Sequence, residues 1–237
     1  MKILCTICAR SQSKGLKNKN IKKLYNQPLI NYSIKQAIGS KIFDDIVIST
    51  DSTYIEKLAI KKNLKTIGKR PKYISNDTVS KLEVIRHAVK RFELKENKKF
   101  DVIFDLDITS PLRLVEDIIN SFLKFKKQNA NNLITVCESR KNPYFNMIEV
   151  KNNNIRLVKS LPYRINSRQK APLVYNMNAS IYIWKRSCLF SKNPLFNKKT
   201  IFFEMPFERS IDIDNIDDFE IVKYYLKKNI SIYKNVM

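Results

Sequence analysis

The sequence predicts an α/β protein, a three-layer sandwich with helices on both faces of a largely parallel sheet. Two observations carry this. Short apolar runs of strand length recur from the N-terminus to Cys137, and helical-period patterns fill the intervals between them. The run Ile3–Ala9 suits a buried parallel strand. A polar, basic loop follows over residues 10–20. Pro28 then opens a helical pattern with Leu29, Ile30, Ile34, Ala37 and Ile38 on one face. Asp45–Thr50 is the next strand, and Asp51 or Ser52 caps a helix reaching about Asn63. Residues 65–67 form a short strand. Residues 78–92 read as a helix whose Val79, Leu82, Ile85 and Val89 are spaced for a core face. Residues 101–107 are a strand, Val115–Lys127 a helix, and residues 133–137 a strand.

From Glu138 to Tyr175 the rhythm breaks. This polar stretch, with a turn at residues 152–154 and a loop at 164–170, reads as an insertion: a lid, a hairpin or an oligomerisation arm. Alternation resumes at residues 179–184 and 200–205, with a possible short strand at 211–213 and a closing helix, Ile216–Lys228. The 237 residues fit one domain, 1–237, with an inserted arm at 138–175. No apolar run reaches membrane-spanning length, and the opening run is too short for a signal peptide, so the expectation is a cytoplasmic protein.

The net charge is +23. It raises nucleic-acid binding as a rival of a different class. The basic residues are spread from Lys2 to Lys234 rather than gathered in one block, which suits solvated helix faces; the expectation is no nucleic-acid partner. Cys5 and Cys8 have C-x2-C spacing, but Cys137 and Cys188 are isolated and His87 is the sole histidine. A zinc site therefore lacks its second half, and core packing is the better reading.

In open sheets of this kind ligands bind beyond the carboxyl ends of the strands. Four segments should meet there: residues 10–20, 70–80, 107–113 and 212–214. The first holds Arg10, Lys14, Lys17, Lys19 and Gly15 directly after the first strand. A triphosphate needs backbone N–H groups, cations and a residue free to take positive φ, and Gly15 can supply the last. The loop matches neither G-x-G-x-x-G nor G-x4-G-K-[ST]; phosphate binding and a plain solvated loop remain close competitors on spacing alone. Asp212 and Asp214 stand two apart between isoleucines, so on an extended segment both carboxylates point one way. Paired carboxylates repel unless a cation bridges them, and magnesium suits one or two carboxylates plus phosphate oxygens. Helix capping is the alternative, which Asp217 and Asp218 fit better. The stretch D-I-T-S-P-L-R, residues 107–113, offers hydroxyls and the planar cation of Arg113; alone it is a capped turn.

Together these segments resemble the CMP-nonulosonic acid synthetase family, which includes the CMP-sialic, CMP-legionaminic and CMP-pseudaminic acid synthetases. The resemblance runs from Ile3 to about Leu226. It rests on ICARSQSKGLKNKNI (residues 7–21), PLINYSI (28–34), IVISTD (46–51), ITSPLR (108–113), NASIYI (178–183) and ERSIDIDNIDDF (208–219). It implies a Rossmann-like nucleotidyltransferase fold and a homodimer whose insertion reaches the partner's site. It also implies Mg2+-dependent transfer of CMP from CTP to a nine-carbon 2-keto sugar acid, with Mn2+ able to substitute. By position, the resemblance gives Arg10, Lys19 and Asp214 catalytic roles. Ala9, Arg10, Ser13, Lys14, Gly15, Lys19, Asn20, Arg70, Asp77 and Ser80 would bind CTP. Asp107, Thr109, Arg168, Tyr175 and Asn178 would contact the sugar, and Asp212 and Asp214 would hold the metal.

The sequence departs from the common pattern in two places. Ser11-Gln12 replace the two glycines of the commoner R-G-G-S-K-G loop. Asp107-Ile108 replace the Gln-Pro found before T-S-P-L-R in many sialic acid enzymes, where the glutamine faces the sugar. DLD (residues 105–107), NLIT (132–135) and NPYFNM (142–147) resemble the legionaminic acid branch, whose sugar carries N-acyl groups at two positions and ends in a methyl group. A changed contact at position 107 is what a changed sugar requires. A CMP-Kdo synthetase and a glycosyltransferase with a D-x-D motif are the rivals within enzyme chemistry.

Overall fold

The computed structural model describes residues 1–11, 15–76 and 78–234. Eleven strands lie among them: β1 (Ile3–Ala9), β2 (Lys23–Leu24), β3 (Gln27–Pro28), β4 (Asp45–Thr50), β5 (Lys65–Lys69), β6 (Val102–Leu106), β7 (Asn132–Glu138), β8 (Ile148–Lys151), β9 (Asn154–Leu157), β10 (Tyr175–Lys185) and β11 (Thr200–Glu204). The helices are α1 (Ile30–Ser40), α2 (Thr53–Lys61), α3 (Lys81–Glu96), α4 (Val115–Lys127), α5 (Arg186–Leu189), α6 (Ile216–Lys228) and α7 (Ile230–Tyr233).

The main sheet has the order β11-β7-β10-β6-β1-β4-β5. β4 and β6 flank β1 in parallel, β5 continues parallel to β4, and β11 runs parallel to β7. Only β10 is antiparallel, to both β6 and β7. The chain leaves β1 toward β4 and β5, then returns to the other side of β1 as β6. The carboxyl ends of β1 and β6 therefore form the crevice where the winding direction reverses.

Two apolar clusters seal the sheet's faces. One packs Leu29 with Ile30, Ile34, Ile118 and Phe122 of α1 and α4 against Cys5, Ile7 and Phe104. The other packs Ile85, Val89 and Phe92 of α3 against Leu4, Val47 and Trp184. The alternation of strand side chains sends Cys5 to the first layer, while Cys8 packs against the edge of the second. Both thiols are held up by burial, which makes them inert.

Several sequence expectations shift. Pro28 lies in β3, a short antiparallel partner of β2, and α1 begins at Ile30; Ile38 is exposed rather than in the core. α3 begins at Lys81, because Ser80 and Glu83 close a capping box there, which leaves Val79 outside the helix. The segment 211–213 forms no strand; Ile213 ties it down, its N–H donating to the Thr109 carbonyl and its carbonyl accepting from Lys19 Nζ. β10 carries a bulge between Met177 and Tyr182, with Ala179 at φ 53°. The Thr135 hydroxyl spans the bulge, accepting from Ile181 N–H at 2.9 Å and donating to its carbonyl at 3.1 Å.

Within residues 138–175, β8 and β9 form a separate two-stranded hairpin. Asn152 and Asn153 both take positive φ at its turn, as a type I′ hairpin turn requires. No described helix is long and apolar enough to cross a membrane.

Candidate active site

The four segments singled out above converge. A cavity of about 540 Å³ at the crevice is lined by Arg10, Gly15, Lys19 and Asn20 from the first loop and Arg70, Ser75 and Asn76 from the second. Asp107 and Thr109 come from the end of β6, and Asp212 and Asp214 from the segment before α6. Cys8, Lys81, Ile74, Val79 and Val84 complete the wall.

The first loop is bolted to the acidic segment. Lys19 Nζ donates to the Ile213 carbonyl at 2.5 Å and to Asp214 Oδ1 at 2.9 Å. Gly15 sits so close that a Cβ would collide with the Asp214 carbonyl oxygen. Sequence reasoning offered this glycine for a positive φ; the structure shows a second need, a close approach to residue 214 that a Cβ would block. A Gly15→Ala variant is expected to push the loop off residue 214 and cut kcat/KM by about 10²-fold, as a misplacement near 1 Å does. Wild-type kinetics in that variant would show that the contact is dispensable.

Other residues fix the loop's start. Asn20 Nδ2 donates to the Arg10 carbonyl at 2.9 Å. Asp51, at the end of β4, accepts from Ser11 N–H at 2.7 Å and from its hydroxyl at 2.8 Å. Arg70 is 4% exposed; its Nε donates to Ser75 Oγ at 3.0 Å and its guanidinium stands 3.9 Å from Asp51. Burial, together with the nearby Arg10, holds Arg70 below its ordinary value.

The carboxylates differ in environment. Asp214 is largely exposed and paired with Lys19. Asp212 is pushed up to about 6, first by burial and then by the charge of Asp107, with Asp214 adding to it. Its Oδ1 is buried with no hydrogen-bond partner among the described residues. Asp107 behaves oppositely. Burial would raise it, but the Lys81 ammonium beside it and the Thr109 hydrogen bonds hold it well below the usual carboxylate range.

Arg113 is fully buried and lines no part of the cavity. Its guanidinium lies under the site's floor, donating to the carbonyls of Asp107 (3.2 Å) and Ser180 (2.6 Å), to Ser33 Oγ (2.9 Å) and to Gln36 Oε1 (2.8 Å). Burial pulls it down to about 10. It fixes the backbone from which Asp107 projects.

Not every expected residue reaches the cavity. Ala9 is buried in the core, so only its backbone is available to a ligand. Ser80 is engaged in the α3 capping box. Tyr175 packs on Phe202 with ring centroids 4.8 Å apart, and Asn178 donates to Ser210 Oγ at 2.8 Å. Exposed Arg168 donates to the Ser139 carbonyl at 3.0 Å. None of these five is among the cavity-lining residues. Ser13, Lys14 and Asp77 lie outside the described residues. Asp51 and Lys81 were missed: one read as a helix cap and the other as an ordinary helix lysine, and only the fold brings them to the crevice.

This fold is shared with known nucleotidyltransferases. A CMP:2-keto-3-deoxy-manno-octonic acid synthetase solved with CTP superposes with a TM-score of 0.70 at 16% identity, covering 96% of this chain and 99% of that one. A 4-diphosphocytidyl-2C-methyl-D-erythritol synthase from Anaerococcus prevotii gives 0.61 at 12% identity, covering 95% and 98%. Residues 4–234 match the cytidylyltransferase family. A Campylobacter jejuni CMP-N,N'-diacetyllegionaminic acid synthase is 45% identical over 230 residues, 97% of each chain. The flagellin modification protein B of Campylobacter coli is 45% identical over 226 residues, 95% of each. A Streptococcus agalactiae N-acylneuraminate cytidylyltransferase is 30% identical across 92% of this chain and 52% of its own length. The chain belongs to the cytidylyltransferase family, among its CMP-nonulosonic acid synthetases, and is a nucleotidyltransferase.

Proposed function

We propose that this enzyme transfers CMP from CTP to a nine-carbon 2-keto sugar acid of the legionaminic type, releasing pyrophosphate. The observation that carries the reading is the direct contact of the basic loop with the acidic segment, Lys19 on Asp214, at one cavity beyond β1 and β6. The 45% identity to the legionaminic acid synthase favours that sugar over sialic acid.

The chemistry needs no covalent intermediate. It needs alignment of the anomeric hydroxyl with the α-phosphorus, and neutralisation of charge on the leaving phosphates. Arg10 and Lys19 face the side of the cavity where that charge grows, preorganised by Asn20 and Asp214. Arg70, with Asp51 behind it, forms the wall proposed for the nucleotide. Asp214, the more exposed carboxylate, would take the hydroxyl proton.

The unpartnered Oδ1 of Asp212, beside Asp214 in sequence and cavity, suits a hard divalent cation. These two residues would hold Mg2+, or Mn2+ in its place. When bound, the ion supplies neutralisation at the α-phosphate and acidifies the attacking hydroxyl.

The hairpin of residues 148–157 supports a homodimer. Ile148, Val150 and Ile155 are 61–71% exposed on an arm that is not hydrogen-bonded into the main sheet. Pyrophosphate release from CTP with legionaminic, sialic and pseudaminic acids and Kdo tests the substrate reading, with legionaminic acid expected to give the highest kcat/KM. EDTA is expected to abolish turnover and Mg2+ or Mn2+ to restore it; full activity in the chelator removes the metal from the mechanism.

A further inference from the structure

β10 makes one irregular move, and it falls at the carboxyl end of β6, where the cavity lies. Its pairing with β7 breaks between Met177 and Tyr182. Within the break Ala179 takes φ 53°, a left-handed conformation that costs an alanine energy. Strained bulges of this kind collect beside functional sites, where they re-aim the chain. Because β10 lies between β6 and β7, residues 178–180 can serve neighbours on both sides.

On one side is the end of β6. The Ser180 carbonyl accepts from Asp107 N–H at 3.1 Å and from Arg113 Nη1 at 2.6 Å. The same nitrogen of Arg113 donates to the Asp107 carbonyl at 3.2 Å, and Ser33 and Gln36 fix the guanidinium on α1. Residue 180 thereby sets the direction in which Asp107 leaves β6. On the other side is the acidic segment. Asn178 is 5% exposed. Its Oδ1 accepts from Ser180 N–H at 3.2 Å, which locks the amide to the bulge. Its Nδ2 donates to Ser210 Oγ at 2.8 Å. Ser210 in turn donates to the Pro206 carbonyl at 2.9 Å, closing the 3-10 turn Phe207–Ser210, and Asp212 follows two residues on. The two held segments also touch each other, through Ile213 N–H and the Thr109 carbonyl at 3.0 Å. Asn178 is not among the cavity-lining residues, so it acts on the site only through what it holds.

We propose that Asn178 is a positioning residue: with the bulge at Ala179 it sets the spacing between the end of β6 and the carboxylates of Asp212 and Asp214. This rests on the CMP-transfer reading above and gives that reaction a residue outside the cavity. The test follows pyrophosphate release by the full-length enzyme with CTP, legionaminic acid and Mg2+, well below the melting temperature, beside hydrogen exchange of the same proteins. Asn178→Ala is expected to lower kcat by about 10-fold or more, raise the Mg2+ concentration for half-maximal turnover by about 10-fold, and leave the KM for CTP at saturating Mg2+ within about threefold of wild type, as loss of a partner behind a ligating carboxylate does. Exchange of the Ile213 amide should quicken by about 10-fold or more, with the amides of β4 unchanged. Ser210→Ala cuts the same bond from the other end; it should reproduce these effects and carries the test if Asn178→Ala does not fold. The double variant should lose little beyond Asn178→Ala, since both changes remove one contact.

A raised acceptor KM with kcat and the Mg2+ requirement unchanged would make Asn178 a direct contact of the sugar and overturn the assignment. So would fully additive losses, or a fall in turnover that only follows unfolding. A wild type that releases no pyrophosphate with any acceptor refutes the CMP-transfer reading. Exchange at Ile213 then decides the positioning role by itself: quickened exchange in both single variants supports it, and unchanged exchange refutes it.

Discussion

Replacing Asp212 by asparagine is expected to remove at least about 10²-fold of kcat while making the metal-free protein more stable. The two effects have one origin. Burial and the neighbouring carboxylates raise Asp212 from an ordinary 3.8 to about 6. A carboxyl raised on folding binds its proton more tightly in the folded state. Between about pH 4 and 6 the folded chain therefore holds more protons than the unfolded one, and stability falls as pH rises through that window. Above pH 6 the full penalty is present. At about 1.4 kcal/mol per unit it amounts to roughly 1–3 kcal/mol, or a Tm rise of roughly 3–8 °C in the variant at pH 7.5 for a chain of this size. At pH 4 the two proteins should melt together. A divalent ion should raise the wild-type Tm and leave that of the variant unchanged. Thermal melts at pH 4 and 7.5, with and without Mg2+, check this. A variant that is both inactive and less stable at pH 7.5 would make Asp212 a structural residue.

Lys19→Ala is the second large effect, expected to reduce kcat by about 10²–10³-fold, with Arg10→Ala close behind. The magnitudes separate chemistry from folding. The Lys19–Asp214 pair has a partner that is 74% exposed, so its contribution to stability is at most about 1 kcal/mol. The proposed place of Lys19 beside the leaving phosphates would be worth about 3–4 kcal/mol in the transition state. Steady-state kinetics beside a melting curve settles the matter: a small Tm change with a large fall in kcat is expected. A fall in activity that merely tracks unfolding would remove Lys19 from the chemistry.

Much of this arrangement was legible in the sequence. The apolar runs of β1, β4, β6 and β7 report their burial on both faces, and the helical periods of α2 and α4 fall between them. That topology alone directs attention to residues 10–20 and 107–113, because ligands gather where parallel strands end. The direction of β10 was not legible: residues 179–184 read as one more apolar strand, and nothing local says that it runs against β6 and β7. The start of α3 was misplaced because Val79 keeps the helical period, whereas the capping box at Ser80 decides. Arg113 read as a cation available at a turn; its burial depends on Ser33, Gln36 and Ser180, contributed by distant elements. Lys81 carries no local signal at all. Its meaning comes from Asp105 and Asp107, more than twenty residues away, and from the sheet order that puts β6 beside the start of α3.

In the proposed reaction one bound CTP is gripped between the loop of Arg10 and Lys19 and the carboxylates of Asp212 and Asp214. The most direct measurement is a structure with CTP and Mg2+. The triphosphate is expected against Arg10, Gly15 and Lys19, with the metal on Asp212. A triphosphate bound elsewhere on the surface, or a nucleotide that leaves those four residues uncontacted, would contradict it.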